Sequence, residues 1–186
     1  MISKKPTCLL HWLRIYNLYR QAFPRYERKP FAIIRSMYKK GQTDIWYFEK
    51  DGRFVGIVIT VNRDNAVLID YLAICPNVRG SGIGSAIIAQ MQKQYAPRGI
   101  FVEIESVFAK CENQEERLRR KDFYIKNGMT PMNVMVVLFG VEMELLGINC
   151  KLTFDEYYEF YHDVYGKLAD KHVWEAPWPK EIETYI

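Results

Sequence analysis

Arg79, Gly80, Ser81, Gly82, Ile83, Gly84 and Ser85 form the stretch whose residue types and spacing speak most directly of chemistry. Glycines at alternate positions let a backbone turn tightly and approach a ligand with no Cβ in the way. An apolar, β-branched run over residues 66–74 precedes them, Pro76 ends it, and Ile83, Ile87 and Met91 follow at helical spacing. The order is strand, loop, helix, and a helix points unpaired N–H groups at whatever lies before its first turn. The pattern predicts a cradle for phosphate. Two familiar phosphate loops do not fit it. A nucleoside-triphosphate loop requires Lys followed by Ser or Thr after its last glycine, where this chain has Ile83, Gly84 and Ser85. A dinucleotide fingerprint requires glycines at positions one, three and six, which Gly80, Gly82 and Gly84 break, although Glu103 sits near the expected acidic position.

Arg-x-x-Gly-x-Gly, read as Arg79, Gly82 and Gly84, with Leu72, Ala73 and Ile74 ahead of it and Pro76 before the loop, resembles the pyrophosphate loop of the GNAT superfamily of acyl-CoA-dependent N-acetyltransferases. Residues 123–129 resemble a second signature of that family, in which a tyrosine, here Tyr124, stands four residues before a glycine, Gly128, and an apolar residue follows. The resemblance covers roughly residues 12–146. It implies an α/β (α+β) fold with a mixed, mainly antiparallel central sheet flanked by helices. It implies acetyl-CoA as co-substrate, an amine acceptor and no metal. Val78, Arg79, Gly80, Ser81, Gly82, Ile83, Gly84 and Ser85 would hold the pyrophosphate, and the pantetheine arm would lie along Leu72, Ala73 and Ile74. Backbone N–H of Leu72 or Ala73 would face the carbonyl oxygen, and Tyr124 would act as general acid toward the departing thiolate. The chain departs from the pattern at Leu68, where some members carry a glutamate base. Asp70 falls on the face of Leu68 by strand alternation, and Glu103 and Glu105 share one face of the next strand. Any of the three can accept a proton or bind a cationic acceptor.

Other elements must position these groups. Trp12, Tyr16, Tyr19 and Phe23 lay an aromatic stripe along a first helix that Pro24 closes. Pro30, as first helical residue, opens a second helix with Ile33, Ile34, Met37 and Tyr38, which Gly41 ends. Strands over 44–49 and 54–61 flank Asp51 and Gly52, a hairpin signal, and the chain then enters the strand before the loop. A helix over 82–95 leads to a strand over 100–105. Asn113 and Glu116 read as a capping signal for a helix ending near Gly128, and strands over 134–139 and 141–146 meet about Gly140. Thr153 and Glu156 form a capping box for an amphipathic tail helix whose apolar face runs from Phe154 through Leu168, followed by an irregular aromatic end.

Length and composition set the frame. The 186 residues suit one domain with an appendage, and the resemblance implies an acetyltransferase-like domain over 1–146 with an amphipathic helical extension over 147–186 that packs on the domain or on a partner subunit. The net charge of +4, without a long basic run, suits a polyanionic co-substrate and argues against nucleic acid. His11 and Arg14 break the N-terminal apolar run, and no stretch is long enough to span a membrane. Cys8, Cys75, Cys111 and Cys150 lack metal-ligand spacing and suit free thiols in a reducing cytoplasm. The expectation is a cytoplasmic monomer or homodimer that acetylates the primary amine of a small molecule. A protein or peptide N-acetyltransferase and a non-catalytic acyl-CoA-binding module are the alternatives.

Overall fold

Asp51 and Gly52 both adopt left-handed backbone angles, φ 51° and 72°, and so close a tight hairpin between β2 (Thr43–Lys50) and β3 (Arg53–Asn62). The computed structural model describes residues 1–109 and 111–179; the end of the tail, residues 180–186, lies outside them. The chain divides into two units, Met1–Arg98 and Gly99–Ile186.

In the first unit the strand order is β1-β2-β3-β4, with β1 (Ile2–Lys4) and β4 (Ala66–Ile74) on either side of the hairpin and every pairing antiparallel. α1 (Leu9–Ala22) and α2 (Phe31–Lys39) cover one face. Ile15, Leu18, Tyr19 and Ile34 pack there on Ile45, Tyr47, Ile57, Ile59, Tyr71 and Ala73, each fully buried side chain contributing roughly 1.5–3 kcal/mol. α3 (Ile83–Tyr95) takes the other face. Its Tyr95 hydroxyl accepts from Trp46 Nε1 at 2.8 Å and bonds Thr60 Oγ1 at 2.9 Å; both partners adjoin residues of the first cluster in sequence and so point to the opposite side of their strands. Pro30 is the N-cap of α2, one residue before the helical position expected of it, because its ψ of 124° is extended. β1 carried no signal that sequence periodicity detects in three residues.

In the second unit β5 (Gly99–Glu105), β6 (Thr130–Leu138), β7 (Val141–Ile148) and β8 (Val173–Ala176) run in the order β5-β7-β6-β8, again with antiparallel pairings. Phe139 and Gly140, both left-handed, turn the chain between β6 and β7. α4 (Gln114–Lys126) lies by β5, and α5 (Phe154–Tyr165) packs Tyr157 and Phe160 on Phe101 of β5, with ring centroids 6.4 and 5.2 Å apart. The expected tail helix stops short of Leu168: Gly166, at φ 58° and ψ −137°, breaks it, and α6 (Lys167–His172) follows. The expected irregular end is in part β8, held by β6. Among the described residues no helix is long and apolar enough to cross a membrane.

Candidate functional site

The glycine loop is built for close approach. A single 3-10 turn over Pro76–Val78 leaves β4, with Val78 N–H donating to Cys75 O at 3.1 Å. Gly80 and Gly82 then take φ of 76° and 78°, the left-handed region that a side chain strains. A Cβ at either would meet nothing within 4 Å, so conformation demands glycine there while the space before the backbone stays open. Gly82 is the N-cap of α3, and Ala86 N–H is the one that returns to its carbonyl, at 3.1 Å. The N–H groups of Ile83, Gly84 and Ser85 therefore precede the first helical donor, Ala86 N–H, and face outward with the positive end of the dipole. Ser81 Oγ donates to Val78 O at 2.6 Å and Arg79 Nε to Ile74 O at 3.2 Å, which fix the loop to itself and to the end of β4. These features fit a diphosphate.

β4 itself carries an irregularity that sequence alternation does not foresee. Ile59 opposes Tyr71 while Thr60 opposes Ile69, so Asp70 is the extra residue of a β-bulge. Cys75 N–H donates to Val55 O at 2.9 Å. In an antiparallel ladder alternate residues turn N–H to the same partner, so with the register of Ala73 on Ile57 the N–H of Ala73 faces β3 and that of Leu72 faces away from it. Leu72, not Ala73, thus has an N–H outside the β3 ladder. Gly56 lets β3 close on this end of β4, since a Cβ there would stand 2.8 Å from Ala73 O.

The bulge also binds the link between α1 and α2. Lys29 Nζ donates to both oxygens of Asp70, at 2.7 and 2.8 Å. Lys29 N–H donates to Tyr71 Oη at 3.1 Å, Tyr71 donates to Glu27 O at 3.0 Å, and Tyr19 donates to Lys29 O at 2.9 Å. Burial pushes the Tyr71 and Tyr19 phenols up from their ordinary value. Sequence reading missed Lys29: a lone lysine before a proline has no spacing signature.

In the second unit, Tyr124 occupies the last turn of α4. Met129 N–H reaches Tyr124 O at 3.1 Å and Gly128 N–H reaches Ile125 O at 2.9 Å, with Gly128 at φ 88°. This is the Schellman closure, and it explains the four-residue spacing: the tyrosine supplies the carbonyl that closes the turn made by the left-handed glycine. Tyr124 is half-buried beside Phe123, ring centroids 5.1 Å apart. Burial pushes its phenol up to about 12 against a smaller opposing pull from Arg120, so it carries its proton at neutral pH. Among the described residues its hydroxyl has no hydrogen-bond partner.

Glu103 and Glu105, expected on one face of β5, answer to different helices. Glu103 accepts from Tyr157 Oη at 2.8 Å and Tyr161 Oη at 3.1 Å, both from α5. Glu105 accepts from Arg117 Nη2 at 3.1 Å and Arg120 Nη1 at 3.2 Å, both from α4. Asn113 does not use its side chain as a cap. It accepts from Arg117 Nε at 3.0 Å and reaches Glu105, joining that cluster instead. Among the thiols, burial pushes Cys75 up and Cys150 up to about 11, the opposite of an activated nucleophile. Among the described residues no three His, Cys, Asp or Glu side chains cluster as metal ligands. A pocket of about 510 Å³ lies against the loop, lined by Val78, Ser81 and Ile83 and by the hairpin residues Lys50, Arg53 and Phe54.

The profile of the Acetyltransferase (GNAT) family matches residues 12–128. A protein of Bacillus subtilis (strain 168), "Putative acetyltransferase YjbC", is 31% identical over 104 residues, which are 56% of this chain and 52% of that protein. The chain thus spans about half the length of that curated relative. Among solved structures, the "Putative acetyltransferase from GNAT family" of Bacteroides thetaiotaomicron superposes with a TM-score of 0.72 at 19% identity, over 89% of this chain and 99% of that one. Spermidine N-acetyltransferase from Vibrio cholerae, solved in complex with CoA and spermine, gives a TM-score of 0.61 at 11% identity, over 79% of this chain and 94% of that one. At these identities the structural likeness is one of fold.

Proposed function

The chain belongs to the acetyltransferase (GNAT) family, and from that premise we propose that it transfers the acetyl group of acetyl-CoA directly to the primary amine of a small molecule. The observation that carries this reading is the loop after β4: left-handed Gly80 and Gly82 with open space before them, opening α3. Acetyl-CoA supplies a thioester carbonyl open to attack by nitrogen. The Leu72 N–H, turned away from β3, donates to the carbonyl oxygen as it gains charge. The Tyr124 phenol, protonated at neutral pH, gives its proton to the sulfur that leaves. Glu103 takes the proton of the amine, its carboxylate oriented by the Tyr157 and Tyr161 hydroxyls that donate to it. Asp70 and Glu105, held by Lys29 and by two arginines, serve as positioning groups. Raised thiols at Cys75 and Cys150 favour direct transfer over a covalent acyl-cysteine.

A small acceptor is favoured over a peptide by the Lys29 and Tyr71 contacts, which fasten the link between α1 and α2 onto β4 where a peptide would need an open groove. The spermidine enzyme of like fold acts on such an amine. Cysteines free of disulfides suit a cytoplasmic enzyme. Calorimetric titration with CoA tests the loop. Gly82→Asn keeps a left-handed backbone accessible and places a side chain in the open space, whereas Gly82→Val also strains the turn. Both variants, folded by circular dichroism, are expected to lose CoA binding at least about tenfold. Unchanged affinity in folded Gly82→Asn contradicts the assignment.

A further inference from the structure

The pocket beside the loop contains two cations that the transfer chemistry leaves unused. Lys50 and Arg53 stand on either side of the Asp51 and Gly52 turn and oppose each other directly in the last rung of the β2–β3 ladder. Side chains in such a pair emerge on the same face, and like charges there repel. Among the described residues neither has a carboxylate partner, and Asp51 is the one acidic side chain that lines the pocket with them. The unfavourable pairing sits where an anion would relieve it. Val78, Ser81 and Ile83, which flank the left-handed glycines, line the same pocket of about 510 Å³.

We infer that Lys50 and Arg53 form a phosphomonoester subsite that recognises the 3′-phosphate of CoA while the glycine loop holds its diphosphate. The inference rests on the proposed use of acetyl-CoA and adds the residues that tell CoA from its 3′-dephospho form. The two ligands differ by one dianionic group. An Arg fork and a Lys ammonium converging from one rung match that group: the guanidinium binds two oxygens and the ammonium adds a point charge. The two-residue turn of Asp51 and Gly52 keeps both stems in one rung of the ladder, and both line the pocket that the loop residues also line.

The test is calorimetric titration of CoA and 3′-dephospho-CoA into the full chain and into Lys50→Ala/Arg53→Ala. The wild type is expected to prefer CoA by about tenfold or more. In the double variant that preference falls toward unity while affinity for 3′-dephospho-CoA is retained, and Arg53→Gln gives an intermediate loss. Lys93→Ala removes the same charge from the exposed far end of α3 and leaves the preference intact. Equal affinity of the wild type for both ligands overturns the inference, as does an undiminished preference in the double variant; CoA binding in either case leaves the acetyl-CoA reading standing. Absence of binding by both ligands overturns that reading and this inference together.

Discussion

Tyr124 is the residue on which the proposed chemistry turns, and its environment favours the protonated form: burial pushes the phenol up to about 12. A weak acid delivers a proton well only where strong negative charge appears, which the departing thiolate provides. Tyr124→Phe keeps the ring against Phe123 and the backbone closure with Gly128, and removes only the hydroxyl. Turnover is expected to fall by about 10²–10⁴-fold with acetyl-CoA affinity unchanged, measured by steady-state kinetics beside calorimetry. Full turnover in the variant would make Tyr124 a packing residue. Its spacing to Gly128 stood out through the resemblance to a family signature, and the structure gives that spacing a helix closure in which Met129 N–H reaches Tyr124 O and Gly128 N–H reaches Ile125 O. Asp70 was only half legible. Its carboxylate stood out, but the bulge that makes it an extra residue and the Lys29 ammonium that holds it arise from tertiary pairing, which leaves no local period in the chain.

At the scale of elements, signals that close within a few residues became structure. Asp51 with Gly52 made the hairpin, and the Thr153 and Glu156 box formed in full, with Thr153 N–H to Glu156 Oε2 at 2.8 Å and Glu156 N–H to Thr153 Oγ1 at 3.3 Å. The Asn113 signal was diverted because Arg117 and Glu105 offered its amide charged partners. β8 was hidden because its inward residues, Val173 and Ala176, do not alternate, so it is recognisable only by its pairing with β6. The box bears on stability because α5 brings Tyr157 and Tyr161 to Glu103. Thr153→Ala removes the cap and is expected to cost about 1 kcal/mol in urea unfolding. A variant as stable as the wild type would show that packing on Phe101 alone fixes the start of the helix.

At the scale of the whole molecule, the buried phenols of the first unit and the half-buried Tyr124 of the second set an alkaline limit. Tyr71, Tyr95 and Tyr124 are all raised above the ordinary value of 10.0, chiefly by burial. A raised folded value means that the native state holds these protons more tightly than the unfolded chain. The associated stability is complete below pH 10 and is lost as pH rises through that value toward the folded ones, about 12 for Tyr124. Urea midpoints measured from neutral pH upward are expected to hold and then decline in that window. A midpoint that stays flat through it would contradict burial of the phenols. The modest net charge of +4 gives the whole chain an attraction for a polyanion such as CoA. The central claim is acetyl transfer to an amine. It is tested most directly by measuring CoA thiol release together with acetylated product when the intact chain meets acetyl-CoA and a panel of primary amines, from polyamines to short peptides. The account predicts release that depends on the amine, is matched by acetylated amine, is greater for small amines than for peptides, and falls by about 10²–10⁴-fold in Tyr124→Phe. Tight acetyl-CoA binding with no amine in the panel raising thiol release above the amine-free rate would contradict it.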